Sequence, residues 1–572
     1  MSPKSTTPNT ALDSAKAIQR PPLGKRQRVF ALAMASMAIL WLAFPPVGLA
    51  WLSWFALCPL IWLIESKALN GRRPYLQLYT AGLIFWLATF YFIPIPHPAL
   101  WLGWLMVSAY MAIYTPLSIG LARSLVHRYR IPSVIAVPVV WTGIEWFRSN
   151  FATGMAMVCL SHTQYRQPIL IQVADIFGAY TLTFVIALVS VGLTTLFKIY
   201  LSGKQRNHPI DGQAVAHVAG SKKRLWATMA VATATFIATL VYGQIRLTEQ
   251  VNYKNDSQLA IGLIQTNDDV IFRQKSSAEY EDRLQRKIEL TRQARAQWTD
   301  LELIVWPESG FSPYADLLSD ASPNITVELA ASRRREVWCA AIGYPSPNRS
   351  PVPLLTGGTS MDPENSELYG SAFLIGNDGL IESRYYKNHL VMFGEYVPLS
   401  NWFPIIKKLS PIGGGINAGT EPMVITKNEI NLSPNICFES TVPHFIRWQV
   451  NTLAKQGQEP DVLINMTNDG WFFGTSCLDL HLACNVFRAV EMRKTSLVCA
   501  NTGLSAEIDP CGRLLQTGGR REANTIRADV RAVQRPSLYR TMGDIVPMIM
   551  LIIATALGSL DYCQRKLSLQ RQ

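Results

Sequence analysis

Apolar residues run unbroken over helix-length stretches in the first 245 positions and once more close to the end of the chain. A helix crosses a bilayer with roughly 20 apolar residues. The runs at 29–44, 49–64, 77–95, 100–122, 132–147, 169–197, 225–243 and 542–560 are therefore expected to be membrane spans. The first two are short and are separated by Phe44-Pro45-Pro46-Val47-Gly48, which predicts a tight helical hairpin. The fifth is also short and carries Glu145 near its end. Between 246 and 540 the pattern changes. Leu259–Gln265, Leu301–Trp306, Val337–Gly343, Asn431–Phe438, Asp461–Thr467 and Ser496–Asn501 read as buried strands. Stretches 274–298, 324–335, 441–457 and 477–494 read as helices. Such alternation predicts an α/β globule with helices outside the sheets. The expected order is a tail (1–28), about seven membrane helices (29–245), the globule (246–540), a last membrane helix (541–562) and a second tail (563–572).

Charge gives this arrangement a direction. Lys4, Lys16, Arg20, Lys25, Arg26 and Arg28 precede the first run, and Lys67, Arg72 and Arg73 lie between the second and third. Arg123, Arg128 and Arg130 follow the fourth, and Lys198, Lys204, Arg206, Lys222, Lys223 and Arg224 separate the sixth from the seventh. Arg565, Lys566 and Arg571 follow the last. The alternate loop Pro94-Ile95-Pro96-His97-Pro98 has no Lys or Arg. By the positive-inside rule both termini and the basic loops are cytoplasmic, and 246–540 lies on the far side. The first apolar run follows mostly polar residues without a small-residue cleavage site, so it is expected to stay as an anchor.

Composition agrees. Hydrophobic residues make up 49% of the 572 and charged residues only 16%, against ~25% in soluble chains. That argues for lipid contact and against overall disorder. The net charge of +13 is largely accounted for by topology, so a nucleic-acid partner is not required. Nine cysteines occur without CxxC pairs, so at least one thiol is free or pairs with another chain.

Three stretches of the globule place reactive residues at strand ends. Trp306-Pro307-Glu308-Ser309 ends a strand at a proline, and a carboxylate there is partly desolvated, which suits a general base. Taken alone it is an ordinary loop glutamate. Lys387 lies among apolar neighbours, with Glu395 as a candidate partner. Such a lysine either stabilises an oxyanion or lays its stem along the sheet. Cys437 closes a strand just before a helix-like run, where backbone N–H groups would lower its thiol pKa. The bland reading, a small buried hydrophobe, is kept for Cys339, Cys484 and Cys499. Together, thiol, carboxylate and lysine make a complete acyl-transfer set.

These residues, in this order, resemble the Glu-Lys-Cys triad of the nitrilase (carbon–nitrogen hydrolase) superfamily. The resemblance runs from about Leu259 to Val530 and includes Asn468-Asp469-Gly470-Trp471-Phe472. With the membrane runs and KNHLVMFGEYVP at 387–398, the chain is similar to the apolipoprotein N-acyltransferase family of bacterial inner membranes. That resemblance implies a periplasmic α-β-β-α sandwich, with Glu308 as base, Lys387 as oxyanion stabiliser and Cys437 as nucleophile. It implies supporting roles for Glu395 and Glu439. It implies ping-pong transfer of a phospholipid acyl chain, through a thioester, to the α-amine of a diacylglyceryl-cysteine on an apolipoprotein. No metal or organic cofactor is implied. Phe438 stands where the family commonly has Tyr, and Met392 where it commonly has Pro. No Trp follows the first sheet strand, so that role is not carried over.

Cys477, His481 and Cys484 share one face of a predicted helix and could ligate zinc, but a fourth ligand is not apparent and the run is apolar enough to be core. Arg488 and Glu491 are spaced as a helix ion pair. Trp402-Phe403 and Trp471-Phe472-Phe473 are either core or guides for acyl chains, and Pro411–Gly415 is a lid candidate. Glu145 and Asp175 are expected to cap helices rather than bind headgroups. The main alternative function is a membrane-tethered amidase acting on a small amide with the same triad. A transporter or inactive scaffold is disfavoured by the near absence of mid-span charges and by the intact triad.

Overall fold

The computed structural model describes residues 28–206, 222–268, 270, 276–308, 351–361, 367–378, 380–398 and 415–570. The strand 337–343, the helix 324–335, Cys339, Trp402-Phe403 and all of the lid candidate except Gly415 lie outside the described residues.

The apolar runs form helices α1 (Arg28–Ala43), α2 (Cys58–Glu65), α3 (Pro74–Thr89), α4 (Leu100–Ala112), α5 (Tyr114–His127), α6 (Ser133–Asn150), α7 (Ala179–Arg206) and α8 (Lys222–Thr248). By length and composition, Leu100–His127, Ala179–Leu201, Lys223–Thr248 and Ile545–Gln564 can each cross a membrane. Arg28–Ala43, Ala50–Glu65 and Pro168–Phe177 are shorter apolar helices. The run 169–197 is not one helix. Two single turns, Pro168–Ile171 and Ala174–Phe177, precede Gly178, whose φ of +74° breaks the helix before α7. A Cβ there would also stand 2.9 Å from the ring of Tyr539.

The globule holds two six-stranded sheets. One runs β12 (Asn524–Gln534), β1 (Asn252–Gln265), β2 (Leu303–Val305), β3 (Leu354–Met361), β4 (Leu368–Ile375), β5 (Ile381–Tyr386). The other runs β11 (Leu514–Thr517), β10 (Ala506–Ile508), β9 (Thr495–Ala500), β8 (Val462–Thr467), β7 (Ile430–Ile436), β6 (Ile425–Lys427). Strand alternation sorts side chains between faces. Leu263, Leu303 and Val305 meet Leu432, Ile464 and Leu497 between the sheets. Ile264, Ile304 and Trp306 face the other way, against Ile288 and Ala294 of α9 (Ser277–Gln297). Leu463 packs on Phe445 and Ile446 of α10 (Pro443–Lys455). Val498 and Ala500 face α11 (Cys477–Met492). The layers are therefore α-β-β-α.

Every residue of α11 is buried. Its second face joins Leu160, Ile171 and Val173 from the helical half in one core cluster. The last helix, α12 (Ile545–Gln570), leaves the globule and packs on α6.

Glu145 and Asp175 turn out to be internal anchors rather than interfacial caps. Glu145 accepts from the Leu160 N–H (2.8 Å) and from Thr183 (2.7 Å). Asp175 accepts from Arg493 (2.5 Å), Arg246 (2.9 Å) and Tyr242 (2.7 Å), tying α8 and the globule to the 174–177 turn. Arg493 is fully buried. Replacing Asp175 by Ala strands that guanidinium, so Asp175→Ala should destabilise the protein by about 3 kcal/mol. Thermal unfolding of the detergent-solubilised protein should show a midpoint several degrees lower, and an unshifted midpoint would refute the clamp.

Candidate active site

The reactive residues sit at the C-terminal ends of strands from both sheets. Glu308 follows β2, Lys387 follows β5, Cys437 follows β7 and Asn468 follows β8. In α/β folds that end of the strands is where ligands bind. Glu308 is reached through Trp306, a buried ring whose Nε1 donates to Thr291 (2.9 Å). Its main chain then passes so close to Gly357 of β3 that any Cβ there would clash with it.

Lys387 has 1% of its side chain exposed. Its Nζ lies 2.6 Å from Glu395 Oε1 and 3.3 Å from Glu308 Oε1. Burial pulls its proton affinity down, but the two carboxylates outweigh burial and hold it charged. Glu395 is fixed by accepting the Val391 N–H (2.9 Å), across a turn in which Met392 bridges to Tyr396. The second oxygen of Glu308 accepts the Asn468 N–H (3.0 Å). Burial raises the Glu308 carboxyl above its usual 4.5, Lys387 opposes that rise, and Glu395 adds to it.

Cys437 has φ +51°, a left-handed conformation rare for a residue with a side chain. It opens a short 3-10 turn, Cys437–Thr441, that links β7 to the expected helix, and α10 begins at Pro443. The expected lowering of its thiol pKa is reversed. Burial pushes the thiol well above 9.0, Glu308 pushes it further, and Lys387 offsets only part. Both shifts run upward: the Cys437 thiol and the Glu308 carboxyl close to it each hold a proton more tightly than usual.

Glu439 is fully buried beneath this turn. It accepts from the N–H groups of Ile436 (2.6 Å), Asn388 (2.7 Å) and His389 (3.0 Å), and from the Tyr385 hydroxyl (2.8 Å). One carboxylate thus ties the strand end bearing Cys437 to the strand end bearing Lys387. Burial raises its carboxyl to about 7 against those hydrogen bonds. The Phe438 ring stacks on His389 at 5.9 Å. His481 meets Asp469 at 3.0 Å and the Cys437 carbonyl at 3.1 Å rather than forming a cluster with Cys477 and Cys484. Among the described residues no group of His, Cys, Asp and Glu could hold a metal ion. Arg488 and Glu491 form the expected pair at 2.9 Å.

Two family models match the chain. The apolipoprotein N-acyltransferase N-terminal domain matches residues 36–192, and the carbon-nitrogen hydrolase model matches 261–537. A curated apolipoprotein N-acyltransferase of Rhodopirellula baltica is 29% identical, covering 90% of this chain and 93% of its own. One from Geobacter metallireducens is 27% identical, covering 95% and 96%. Across both halves the chain is similar to apolipoprotein N-acyltransferases. Among solved structures it is similar to the nitrilase-superfamily member Nit3 of Saccharomyces cerevisiae, 16% identical over 48% of this chain and 90% of that one, with a TM-score of 0.34.

Several supporting residues of the site carry weaker sequence signals than Glu308, Lys387 and Cys437. Tyr385 precedes Lys387 by two, the spacing that puts both on one face of a strand, and that alternation is its only mark. His481 stands out as a polar residue in an apolar helical run, without indicating its partner. Asn465, whose Nδ2 donates to the Cys437 carbonyl (3.1 Å), and Gly357 leave no signal until the strands are aligned. The many donors on Glu439 give a direct expectation. Glu439→Gln keeps the shape but puts an NH2 among N–H groups. Acyl-transfer activity should fall more than about 10-fold and stability by about 2 kcal/mol, read by activity assay and thermal unfolding. Wild-type values for both would remove Glu439 from the scaffold of the site.

Proposed function

We propose that the protein transfers an acyl chain from a phospholipid, through a thioester on Cys437, to the α-amine of an N-terminal diacylglyceryl-cysteine on an apolipoprotein. The observation that carries this reading is a Glu308–Lys387–Glu395 cluster beside the half-buried Cys437 thiol, in a globule packed on apolar helices. Glu308 takes the Cys437 proton as sulfur attacks the ester carbonyl. Lys387 and the Phe438 N–H stabilise the oxyanion. The tetrahedral adduct collapses, and the lysophospholipid alkoxide leaves with the proton held by Glu308. In the second half, the neutral amine attacks the thioester and yields its proton to Glu308. Sulfur departs as thiolate and recovers that proton, leaving an amide. The order is ping-pong, because the acyl group rests on sulfur between two lipid-anchored substrates. No metal or organic cofactor is needed in any step.

The topology proposed with this mechanism has eight spans in the bacterial inner membrane, both termini cytoplasmic, and the globule periplasmic. The loop charges support it. Acyl chains then reach the thiol from the leaflet, and the helices help exclude water from the thioester.

Incubation with a phospholipid carrying an alkyne-tagged acyl chain should label the parent through a hydroxylamine-sensitive bond and leave Cys437→Ala unlabelled. Added lipopeptide should discharge the label as an N-acylated product. Discharge to free fatty acid alone would make the protein a hydrolase, and label on Cys437→Ala would move the nucleophile elsewhere. Glu308 must be ionised to act as base, so acylation should fail as pH drops through a value above 4.5, the direction in which burial shifts this carboxyl. An acid limb below 4.5 would separate Glu308 from the proton transfer.

A further inference from the structure

The carbonyl oxygen of the nucleophile is surrounded by donors. Cys437 O accepts from Asn465 Nδ2 (3.1 Å) and Ser440 Oγ (3.2 Å), and lies 3.1 Å from His481 Nε2. The other ring nitrogen of His481 lies 3.0 Å from Asp469 Oδ1. A carboxylate and a carbonyl only accept hydrogen bonds. An imidazole set between them satisfies both by carrying two protons, as an imidazolium. Asp469 is held in turn by the Thr467 hydroxyl at 3.0 Å. Ser440 Oγ also lies 3.0 Å from His481 Nε2. Asn465, Ser440, His481, Asp469 and Thr467 are all buried.

That carbonyl belongs to the same peptide unit as the N–H of Phe438. Hydrogen bonds to a peptide oxygen draw electron density toward it and make the N–H at the other end a stronger donor. They also fix the plane of the peptide, and hence where the N–H points, in a turn that φ +51° would otherwise release.

We propose that His481, held as an imidazolium by Asp469, is a positioning residue that polarises and orients the Cys437–Phe438 peptide so that the Phe438 N–H binds the tetrahedral oxyanion. This rests on Cys437 being the nucleophile. His481 moves no proton and touches no substrate. It acts through the peptide, on both halves of the reaction, because both pass through an oxyanion at the same carbonyl carbon.

The consequence is a split between two reactions of one sulfur. Acylation by an ester develops an oxyanion, whereas alkylation by iodoacetamide displaces iodide and develops none. His481→Gln removes the positive charge, and Asp469→Asn removes the charge that sustains it while keeping the side-chain shape. Acyl-enzyme formation from an alkyne-tagged phospholipid should slow about 10-fold in each variant, a fraction of what losing a whole oxyanion donor costs. Iodoacetamide modification of Cys437, read by mass spectrometry of the active-site peptide, should stay within about 2-fold of the parent. If both rates fall together, the histidine merely keeps the turn folded and the proposal is overturned. If neither falls, the peptide is not tuned and it is overturned equally. If His481→Gln does not accumulate, Asp469→Asn decides alone. A parent protein that forms no acyl-enzyme would instead remove the proposed function, and this inference with it.

Discussion

A lysine ammonium with 1% of its side chain in contact with solvent stays charged only when opposite charge reaches it. Glu308 and Glu395 both do so, and much else about the site follows from that. Two carboxylates around one ammonium leave a net negative surplus beside Cys437. Burial first, and then the Glu308 charge, push the thiol up, with Lys387 offsetting only part, so its surroundings favour thiol over thiolate. In the proposed mechanism sulfur becomes nucleophilic only as Glu308 accepts its proton. A buried permanent thiolate would react with any electrophile that entered, whereas a thiol paired with a basic carboxylate waits for a substrate whose carbonyl can use Lys387.

The backbone at Cys437 is strained to make this possible. The left-handed turn at Cys437 costs of order 1–3 kcal/mol for a non-glycine residue. It ends β7 abruptly, so that the sulfur projects from the strand end instead of continuing along the sheet. Glu439 holds the turn from beneath through backbone N–H groups, and Asn465, Ser440 and His481 hold its carbonyl from the other side. Because Glu439 also accepts from residues 388 and 389, the arrangement that stabilises the turn sets the height of Lys387 beside it. Strain and alignment thus share the same hydrogen bonds.

The parts legible in the sequence are those whose physics is local. Apolar run length marked the membrane helices, and apolar strand ends marked Glu308, Lys387 and Cys437. Period-two half-burial hid others. The strand β12 alternates buried and exposed positions along NTIRADVRAVQ, with arginines on its open face, and β3 is polar and glycine-rich, so neither reads as a buried strand. The break before α7 was masked because Gly178 interrupts an otherwise apolar run, and its need for φ +74° arises from packing against Tyr539, far away in sequence. The direction of the Cys437 shift was misjudged for a related reason. Helix-end electrostatics is a local argument, but burial between two sheets and an adjacent carboxylate are tertiary facts, and they outweigh it.

Tertiary contact also decides how the two halves of the molecule work together. The turn from Asn468 to Phe472 gives Glu308 a backbone hydrogen bond at one end and fixes His481 through Asp469. At its other end Phe472 packs edge-on against Phe92 at 5.4 Å, and the N–H of Ser476, just beyond, donates to Tyr91 at 3.4 Å. Residues 91 and 92 lie in the turn that follows α3 in the helical half. A single short turn therefore touches the base, the support of the nucleophile and the membrane helices at once. Were the globule joined to its helices by a flexible tether, movement of those helices would leave the site unaffected. Here α11 is buried on every side between sheet and helices, and Tyr91 and Phe92 contact the segment that runs on from Asn468 and Asp469. The helical half is thus in direct packing contact with the elements that hold the candidate site.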